Sequence, residues 1–134
     1  MSAKVLDSYA MMAFLEDEPG ADLVRGLILG AEENKTRLLM CVVNLGEVWY
    51  SIARTNSPNI ADRYIQEIEG MAIDIVDANW QITRQAAIFK ANGNISYGDC
   101  FAAALTKIRR ADLITGDKEF KLLEKEIKIS WLEG

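Results

Sequence analysis

The chain contains the run Leu38-Leu39-Met40-Cys41-Val42-Val43, which is apolar on both of the faces that an extended strand would present. Such a pattern is typical of a strand in a parallel sheet that helices cover on both sides. We therefore predict a buried parallel strand at 38–43. The run is far shorter than the roughly 20 apolar residues that span a bilayer, so it predicts no membrane segment.

Shorter strand patterns lie on both sides of this run, and helical patterns separate them. The further strands are predicted at 3–6, 73–76, 111–115 and 127–131. Helices are predicted to begin at Ser8, at Pro19, after Asn44 as a cap, at Ser57-Pro58, at Trp80 with an end at Phe89, and at Asp99. This alternation indicates one α/β domain over residues 1–134, with a parallel sheet of about five strands and helices on both faces.

The composition of the 134 residues is that of an ordinary globular protein: 50% are apolar, 26% are charged and two are proline. The N-terminus lacks the pattern of a signal peptide, so we expect a cytoplasmic protein. The formal charge of −5 argues against broad, non-specific binding to nucleic acid. Bound divalent cations would offset part of that charge, so acidity alone does not exclude a phosphate substrate.

The chain has two cysteines and no histidine. Cys41 and Cys100 lack the CxxC spacing of zinc sites, and there is no histidine to complete such a site. We expect both to be reduced thiols in the core.

Four acidic residues stand where strands end or helices begin. Asp7 and Asp117 directly follow predicted strands, Asp99 starts a helix, and Glu47 lies in the helix after the apolar run. Each has an ordinary alternative, because aspartates commonly cap helices and a glutamate opposite an apolar stripe is usually solvated. Taken together they are more informative, because the carboxyl ends of parallel strands meet at one edge of a sheet.

Clustered carboxylates repel one another by several kcal/mol per pair at about 4 Å, so a cluster needs cations or protons. Oxygen-only ligands suit Mg²⁺ or Mn²⁺. Such ions orient a phosphodiester and lower the pKa of a bound water. Because the chain has no histidine base, the pattern indicates a phosphodiesterase that depends on metal to activate water.

Four segments carry a resemblance to a known family. They are Val5-Leu6-Asp7-Ser8, Asn44-Leu45-Gly46-Glu47-Val48, Tyr97-Gly98-Asp99-Cys100-Phe101-Ala102-Ala103-Ala104 and Leu113-Ile114-Thr115-Gly116-Asp117-Lys118-Glu119-Phe120. Together they resemble a PIN-domain ribonuclease over nearly the whole chain. The short length resembles the VapC toxins of type II toxin–antitoxin pairs.

The resemblance implies a set of site residues. The catalytic and metal-binding acids would be Asp7, Glu47, Asp99 and Asp117, with the hydroxyls of Ser8 and Thr115 as auxiliary groups. It also implies one or two Mg²⁺ or Mn²⁺ ions, endonucleolytic cleavage of RNA, a cognate antitoxin that blocks the site, and a homodimer.

Some positions near these motifs remain open at the level of sequence. Tyr9 departs from the small residue often found there in the family, which affects access of the substrate. Glu119 could join the site, although a surface acid is the simpler interpretation.

Basic and aromatic residues near the motifs have simpler interpretations too. Candidate phosphate contacts are Lys107, Arg109, Arg110, Lys118 and Lys121, although most such charges are merely solvated. Trp49, Trp80 and Trp131 could stack on bases, but core packing is their default.

Two other functions fit parts of the pattern. A non-catalytic, partner-binding module of the same fold would keep the architecture but bind metal weakly. A phosphoacceptor receiver domain also has acids at strand ends, but it expects adjacent acids after the first strand and a lysine after the last. Here Asp7 precedes Ser8, and the last strand ends in Ser130-Trp131, so the receiver is the weaker alternative.

Overall fold

A five-stranded parallel sheet forms the middle of the fold, which a computed structural model describes for residues 2–132; residues 1, 133 and 134 of the predicted domain lie outside the described residues. The strands are β1 (Ala3–Leu6), β2 (Arg37–Cys41), β3 (Ile73–Val76), β4 (Asp112–Thr115) and β5 (Lys128–Trp131). Neighbouring strands pair in parallel, in the order β3-β2-β1-β4-β5. The predicted α/β class with a parallel sheet is confirmed.

Helices cover both faces of this sheet, as the apolar run predicted. In the described residues they are α1 (Ser8–Leu15), α2 (Ala21–Glu32), α3 (Val42–Thr55), α4 (Pro58–Glu69), α5 (Trp80–Asn92), α6 (Tyr97–Arg109) and a 3-10 helix (Lys118–Leu123). Leu38 and Met40 pack on one face in a cluster with α1 to α4, while Leu39 and Cys41 pack on the other with α5 and α6. Alternate residues of β2 therefore enter two different cores.

The chain order places a topological switch between β1 and β4. The chain runs from β1 outward to β2 and β3, and then returns to the other side of β1 with β4 and β5. In open α/β sheets ligands bind outside the carboxyl ends of the strands at such a switch. The ends of β1 and β4, followed by Asp7 and Asp117, are therefore expected to carry the site.

The boundary between β2 and α3 differs from the prediction. The strand ends at Cys41, the last residue paired with β3, and Val42 starts the helix with 38% of its surface exposed. Val42 and Val43 are therefore helical, and Asn44 lies in the first turn of α3 instead of capping it. A short apolar run fits a strand or a buried helix equally well, so the sequence alone does not locate this boundary.

Three other helix boundaries also differ. The second helix begins at Ala21, because Gly20 at its N-cap has a φ of 98° that places Pro19 outside the helix. Ser96 caps α6, so Asp99 stands in the first turn and not at the start. The predicted end at Phe89 is also wrong, since α5 continues to Asn92. The starts at Ser8, Pro58 and Trp80 are as predicted.

The small residues of α6 let it lie deep in the fold. Ala102, Ala103 and Ala104 are all 0% exposed, and the helix packs against α3, α5 and the central strands. Neighbouring elements therefore pack closely around these small side chains. This packing fixes the position of Asp99 at the N-terminal end of the same helix.

Both cysteines are buried and free, as predicted. Burial raises the pKa of the Cys41 thiol, and it raises that of Cys100 to about 11. Between residues 2 and 132, no helix combines the length and the apolar character that crossing a membrane requires.

Enlarging the small-residue helix should destabilise the fold. The change Ala103→Leu adds three carbons at a site with no exposed surface, and we expect it to lower the free energy of unfolding by about 1–3 kcal/mol. Urea denaturation measures the effect. Ala91→Leu, at an exposed position near the end of α5, is the matched control, and equal stability of the two variants would contradict the packing argument.

Candidate active site

The four predicted acids meet at the carboxyl edge of the sheet and influence one another. Asp117 and Glu47 lie close enough to Asp7 for their negative charges to raise its pKa. In the same way, Asp117 and Asp7 raise the pKa of Asp99. The fold thus gathers side chains from the ends of β1 and β4, from the second turn of α3 and from the first turn of α6 into one acidic site.

Asp7 is both a helix cap and a member of this site. It is 1% exposed, and its Oδ1 accepts a hydrogen bond of 2.8 Å from the backbone N–H of Ala10. Its Oδ2 accepts a hydrogen bond of 2.5 Å from the hydroxyl of Thr115. The capping role considered from sequence is therefore correct, and it coexists with a place in the acidic site.

Thr115 links the acids of two adjacent strands. It is 0% exposed, and while its hydroxyl donates to Asp7, its Oγ1 accepts a bond of 3.0 Å from the backbone N–H of Asp117. The predicted auxiliary hydroxyl thus orients one acid and the backbone of the other. Ser8 is only partly buried, and its hydroxyl makes no hydrogen bond to another residue in the part of the chain described.

The tightest group of acids contains one residue that the sequence placed at the surface. Asp99, Asp117 and Glu119 each offer a carboxylate oxygen, and these three oxygens lie within 4.8 Å of one another. Neither Asp7 nor Glu47 belongs to a group of three at that distance among residues 2–132. We name Asp99, Asp117 and Glu119 the acidic trio.

Glu119 is exposed, as expected for a surface acid, yet a tertiary contact turns it toward the site. Its Oε1 accepts a hydrogen bond of 2.8 Å from the backbone N–H of Ser96, the residue that caps α6. Its own backbone N–H donates to Asp117 Oδ1 at 3.0 Å. Its position two residues after Asp117 was the only sequence signal, because the contact with Ser96 depends on the fold.

Glu47 is oriented by a residue that the sequence assigned to another role. Asn44 is 0% exposed, and its Nδ2 donates to Glu47 Oε1 at 2.8 Å and to the backbone oxygen of Gly98 at 3.0 Å. The Glu47 carboxylate therefore lies at the contact between α3 and α6, where the residue is partly buried. The spacing of three residues between Asn44 and Glu47 is the sequence signal that could have revealed this pair.

Close approach of α6 to Glu47 requires a glycine. A Cβ atom at Gly98 would lie only 2.6 Å from Glu47 Cδ. Gly116 has a similar role beside Tyr9, because a Cβ there would lie 2.8 Å from Tyr9 Cζ. Two glycines that flank site acids in the sequence thus make room for side chains from other elements.

Burial raises the pKa values of two of the site carboxyl groups, those of Asp7 and Asp99. Burial raises the pKa of Asp7 to about 7, although the bonds from Thr115 and Ala10 oppose the rise. Burial, aided by the charges of Asp117, Asp7 and Glu119, raises the pKa of Asp99 to about 8, against the hydrogen bond from Ser96. A divalent cation would relieve both effects, because it supplies positive charge where protons otherwise bind.

Some predicted nucleic-acid contacts lie away from the acids. Lys107, Arg109 and Arg110 stand at the far end of α6, about 15 Å along the helix from Asp99, and Lys107 pairs with Glu126 at 2.8 Å. These residues precede β4, so they lie near the opposite edge of the sheet. Lys118 and Lys121 are in the 3-10 helix that follows Asp117, so they remain candidates.

The tryptophans differ in their surroundings. Trp49 is partly buried and donates from Nε1 to Asp62 at 2.8 Å, which agrees with a structural role. Trp131 is partly buried against the core. Trp80 is 71% exposed at the start of α5, so the default of core packing is wrong for this residue.

A family model described as the PIN domain matches residues 4–126, a range that contains all four predicted acids and Glu119. A search of curated proteins by sequence gave no significant match. The observed order of strands also differs from the 2-1-3-4-5 order of receiver domains, so the receiver alternative is not supported. The family expected from the motifs is therefore the one matched.

Solved structures with this fold include toxin–antitoxin proteins. VapBC2 from Rickettsia felis, bound to a DNA fragment from its promoter, has a TM-score of 0.76 and 14% identity, with 98% of this chain and 99% of that chain covered. VapBC-1 from nontypeable Haemophilus influenzae has a TM-score of 0.72 and 19% identity, with 96% and 97% covered. VapC20 from Mycobacterium tuberculosis, a Sarcin-Ricin loop cleaving toxin, has a TM-score of 0.66 and 14% identity, with 90% and 94% covered. At these identities the likeness shows a shared fold.

Adding a methyl group at Gly98 should weaken metal binding at the acidic site without lowering the thermal stability of the protein. We expect Gly98→Ala to displace the end of the Glu47 side chain and lower the affinity for Mn²⁺ by roughly 10- to 100-fold. Thermal stability should not fall, because alanine is the better helix former and the displaced group is a flexible side-chain end. Calorimetric titration with Mn²⁺ and thermal denaturation measure the two quantities.

The matched control is Gly46→Ala, next to Glu47 in α3, where a Cβ would meet nothing within 4 Å. This variant should bind Mn²⁺ like the wild type. Equal Mn²⁺ affinity of Gly98→Ala and Gly46→Ala would contradict the proposed crowding.

The raised pKa of Asp99 predicts how stability depends on pH in EDTA. Its folded pKa of about 8 lies above the ordinary value of 3.8, so the protonated carboxyl stabilises the fold fully below about pH 4. This contribution shrinks as the pH rises and is gone above about pH 8. Relative to Asp99→Asn, which cannot ionise at this position, the wild type should therefore lose stability over this range.

Chemical denaturation of both proteins along a pH series measures this difference, and titrating groups distant from the acidic site cancel in the comparison. Parallel stability curves for the two proteins would show that the Asp99 carboxyl ionises as freely in the folded state as in the unfolded state.

Proposed function

The chain belongs to the PIN-domain family, and from this membership we propose that it is an endoribonuclease that uses Mg²⁺ or Mn²⁺ to hydrolyse RNA phosphodiester bonds. The observation that carries the proposal is the acidic trio, whose oxygens lie within 4.8 Å of one another at the carboxyl edge of the sheet. The match to the family supports a nuclease, and the chemistry of the site supports the choice of metal.

The donors fit a hard divalent cation. Mg²⁺ binds oxygen ligands at about 2.0–2.1 Å, so ligand atoms on opposite sides of one ion are separated by about 4 Å. Carboxylate oxygens within 4.8 Å of one another are compatible with that geometry after small side-chain movements. A bound cation would supply Lewis-acid stabilisation of the leaving oxygen and a water of lowered pKa.

Each acid has a separate task in this proposal. Asp99, Asp117 and Glu119 would hold the first cation. Asp7, held by Thr115, would complete its coordination or contribute to a second ion. Glu47 faces the same site from α3 and, with its Oε1 held by Asn44, would accept a proton from the attacking water or bind a cation.

Similarity in fold to VapBC structures supports a role as the toxin of a toxin–antitoxin pair. Such a toxin acts on RNA in the cytoplasm, and its antitoxin would bind this chain and block the acidic edge. We also propose that the chain forms a homodimer. VapC20 of the same fold is a toxin that cleaves the Sarcin-Ricin loop, and for the present chain the RNA target is left open to experiment.

Cleavage of RNA by the purified protein tests the proposal. We expect Mg²⁺ or Mn²⁺ to support cleavage, EDTA to abolish it, and Asp99→Asn to lower kcat by at least about a hundredfold, because one ligand of the acidic trio is lost. Asp22→Asn, which changes an exposed aspartate of α2, is the matched control and should cleave normally. Cleavage in EDTA, or full activity of Asp99→Asn, would contradict the proposal.

Calorimetric titration with Mn²⁺, together with the cleavage assay, tests the alternative of a non-catalytic, partner-binding module. Such a module would bind Mn²⁺ weakly and leave RNA intact. The intact acidic trio favours the enzyme.

A further inference from the structure

A groove beside the acidic site combines aromatic and basic side chains. It has a volume of about 350 Å³ and is lined by Tyr9, Gly116, Lys118, Lys121, Trp131 and Leu132. Tyr9 is two residues after Asp7, and Gly116 directly precedes Asp117. Neither acid lines the groove, but anything that occupies it contacts residues within two positions of Asp7 and Asp117 in the chain.

Tyr9 is placed to offer a flat surface. It is 43% exposed, and its ring lies over the backbone of Gly116, where a side chain would collide with it. The contact with Gly116 fixes the ring while leaving part of it open to the groove. Trp131, which is partly buried in the core, forms another part of the lining. Fixed aromatic rings of this kind stack on nucleic-acid bases with little dependence on sequence.

The two lysines give the groove a positive rim on an acidic protein. Lys118 and Lys121 are exposed, and among residues 2–132 neither forms an ion pair, whereas Lys4, Lys35 and Lys107 do. A larger pocket of about 570 Å³ that shares Trp131 is lined by Asp17, Glu18 and Asp22. The acidic pocket would repel phosphates, whereas Lys118 and Lys121 would attract them. The charges therefore favour an RNA strand that leaves the acidic site along the lysine side of the groove.

We propose that this groove binds the nucleotide of single-stranded RNA next to the bond that is cut. Its base stacks on Tyr9, and Lys118 and Lys121 contact the neighbouring phosphates. The inference rests on the proposed function, since it names how the RNA is held at the same site. It also gives a role to Tyr9, which departs from the small residue often found at this position in the family.

Cleavage kinetics separate binding in the groove from chemistry at the acids. The substrate is single-stranded RNA of random sequence labelled with fluorescein, in the presence of Mn²⁺. We expect Tyr9→Leu to raise KM about tenfold while kcat and Mn²⁺ affinity stay unchanged, because a stacking surface is lost. Tyr9→Phe should behave like the wild type. Lys121→Gln should raise KM and reduce by about one the slope of log affinity against log salt concentration.

Two variants outside the groove serve as controls. Tyr50→Leu changes an aromatic residue of the same 43% exposure on α3, and Lys125→Gln changes an exposed lysine that precedes β5 at the opposite edge of the sheet. Both should leave KM unchanged. Because Lys121 is exposed, its variant remains a test even where Tyr9→Leu fails to fold.

A binding measurement distinguishes failure of the groove from failure of the nuclease. Fluorescence anisotropy of the same RNA is measured with the groove changes in an Asp99→Asn background. Suppose that the wild type cleaves RNA and that the groove variants match the controls in KM and in RNA affinity. This result would contradict the proposed groove and leave the proposed nuclease function unaffected. Absence of cleavage together with affinity lost in the groove variants would support the groove and overturn the nuclease.

Discussion

The site depends on the parallel pairing of β1 with β4, which brings together two acids from opposite ends of the chain. The hydrogen bond from Thr115 to Asp7 joins residues 108 positions apart. This bond exists because Leu6 and Ile114 are register partners. The residues that follow them, Asp7 and Thr115, therefore lie side by side at the same edge of the sheet. Asp117 then follows two residues later, held through its backbone by the same hydroxyl. One strand pairing thus sets the relative positions of the acids from both halves of the chain.

This arrangement opposes the ordinary tendency of carboxylates to remain in water. Asp7 and Asp99 are almost fully buried, and burial together with neighbouring acids raises the pKa of both. The rest of the fold must supply the stability that such a site consumes. It does so through two apolar cores, one on each face of the sheet, which share the alternate residues of β2. The apolar cores on the two faces of the sheet therefore supply stability, while the carboxyl edge of the sheet holds the acidic site.

Local patterns predicted the fold class and the neighbourhood of the four acids, because strand ends and helix starts are visible in the sequence. The orientation of Glu47 was not predictable in this way, since it depends on Asn44 lying inside α3 and on the point where β2 ends. Glu119 was undervalued for a related reason, because its link to the cap of α6 is a contact between distant segments. Residues that share an edge of the sheet are visible in the sequence pattern, whereas tertiary contacts determine which of them meet.

The late position of β4 has a consequence for the chain during its synthesis. The ribosome makes Asp7, Glu47 and Asp99 before the segment that contains Thr115, Asp117 and Glu119. Until that last segment has emerged and inserted beside β1, Asp7 has no hydroxyl partner and the acidic trio has one member. A nascent chain therefore lacks the assembled acidic site until β4 pairs with β1, and only β5 is then still to be added to the sheet.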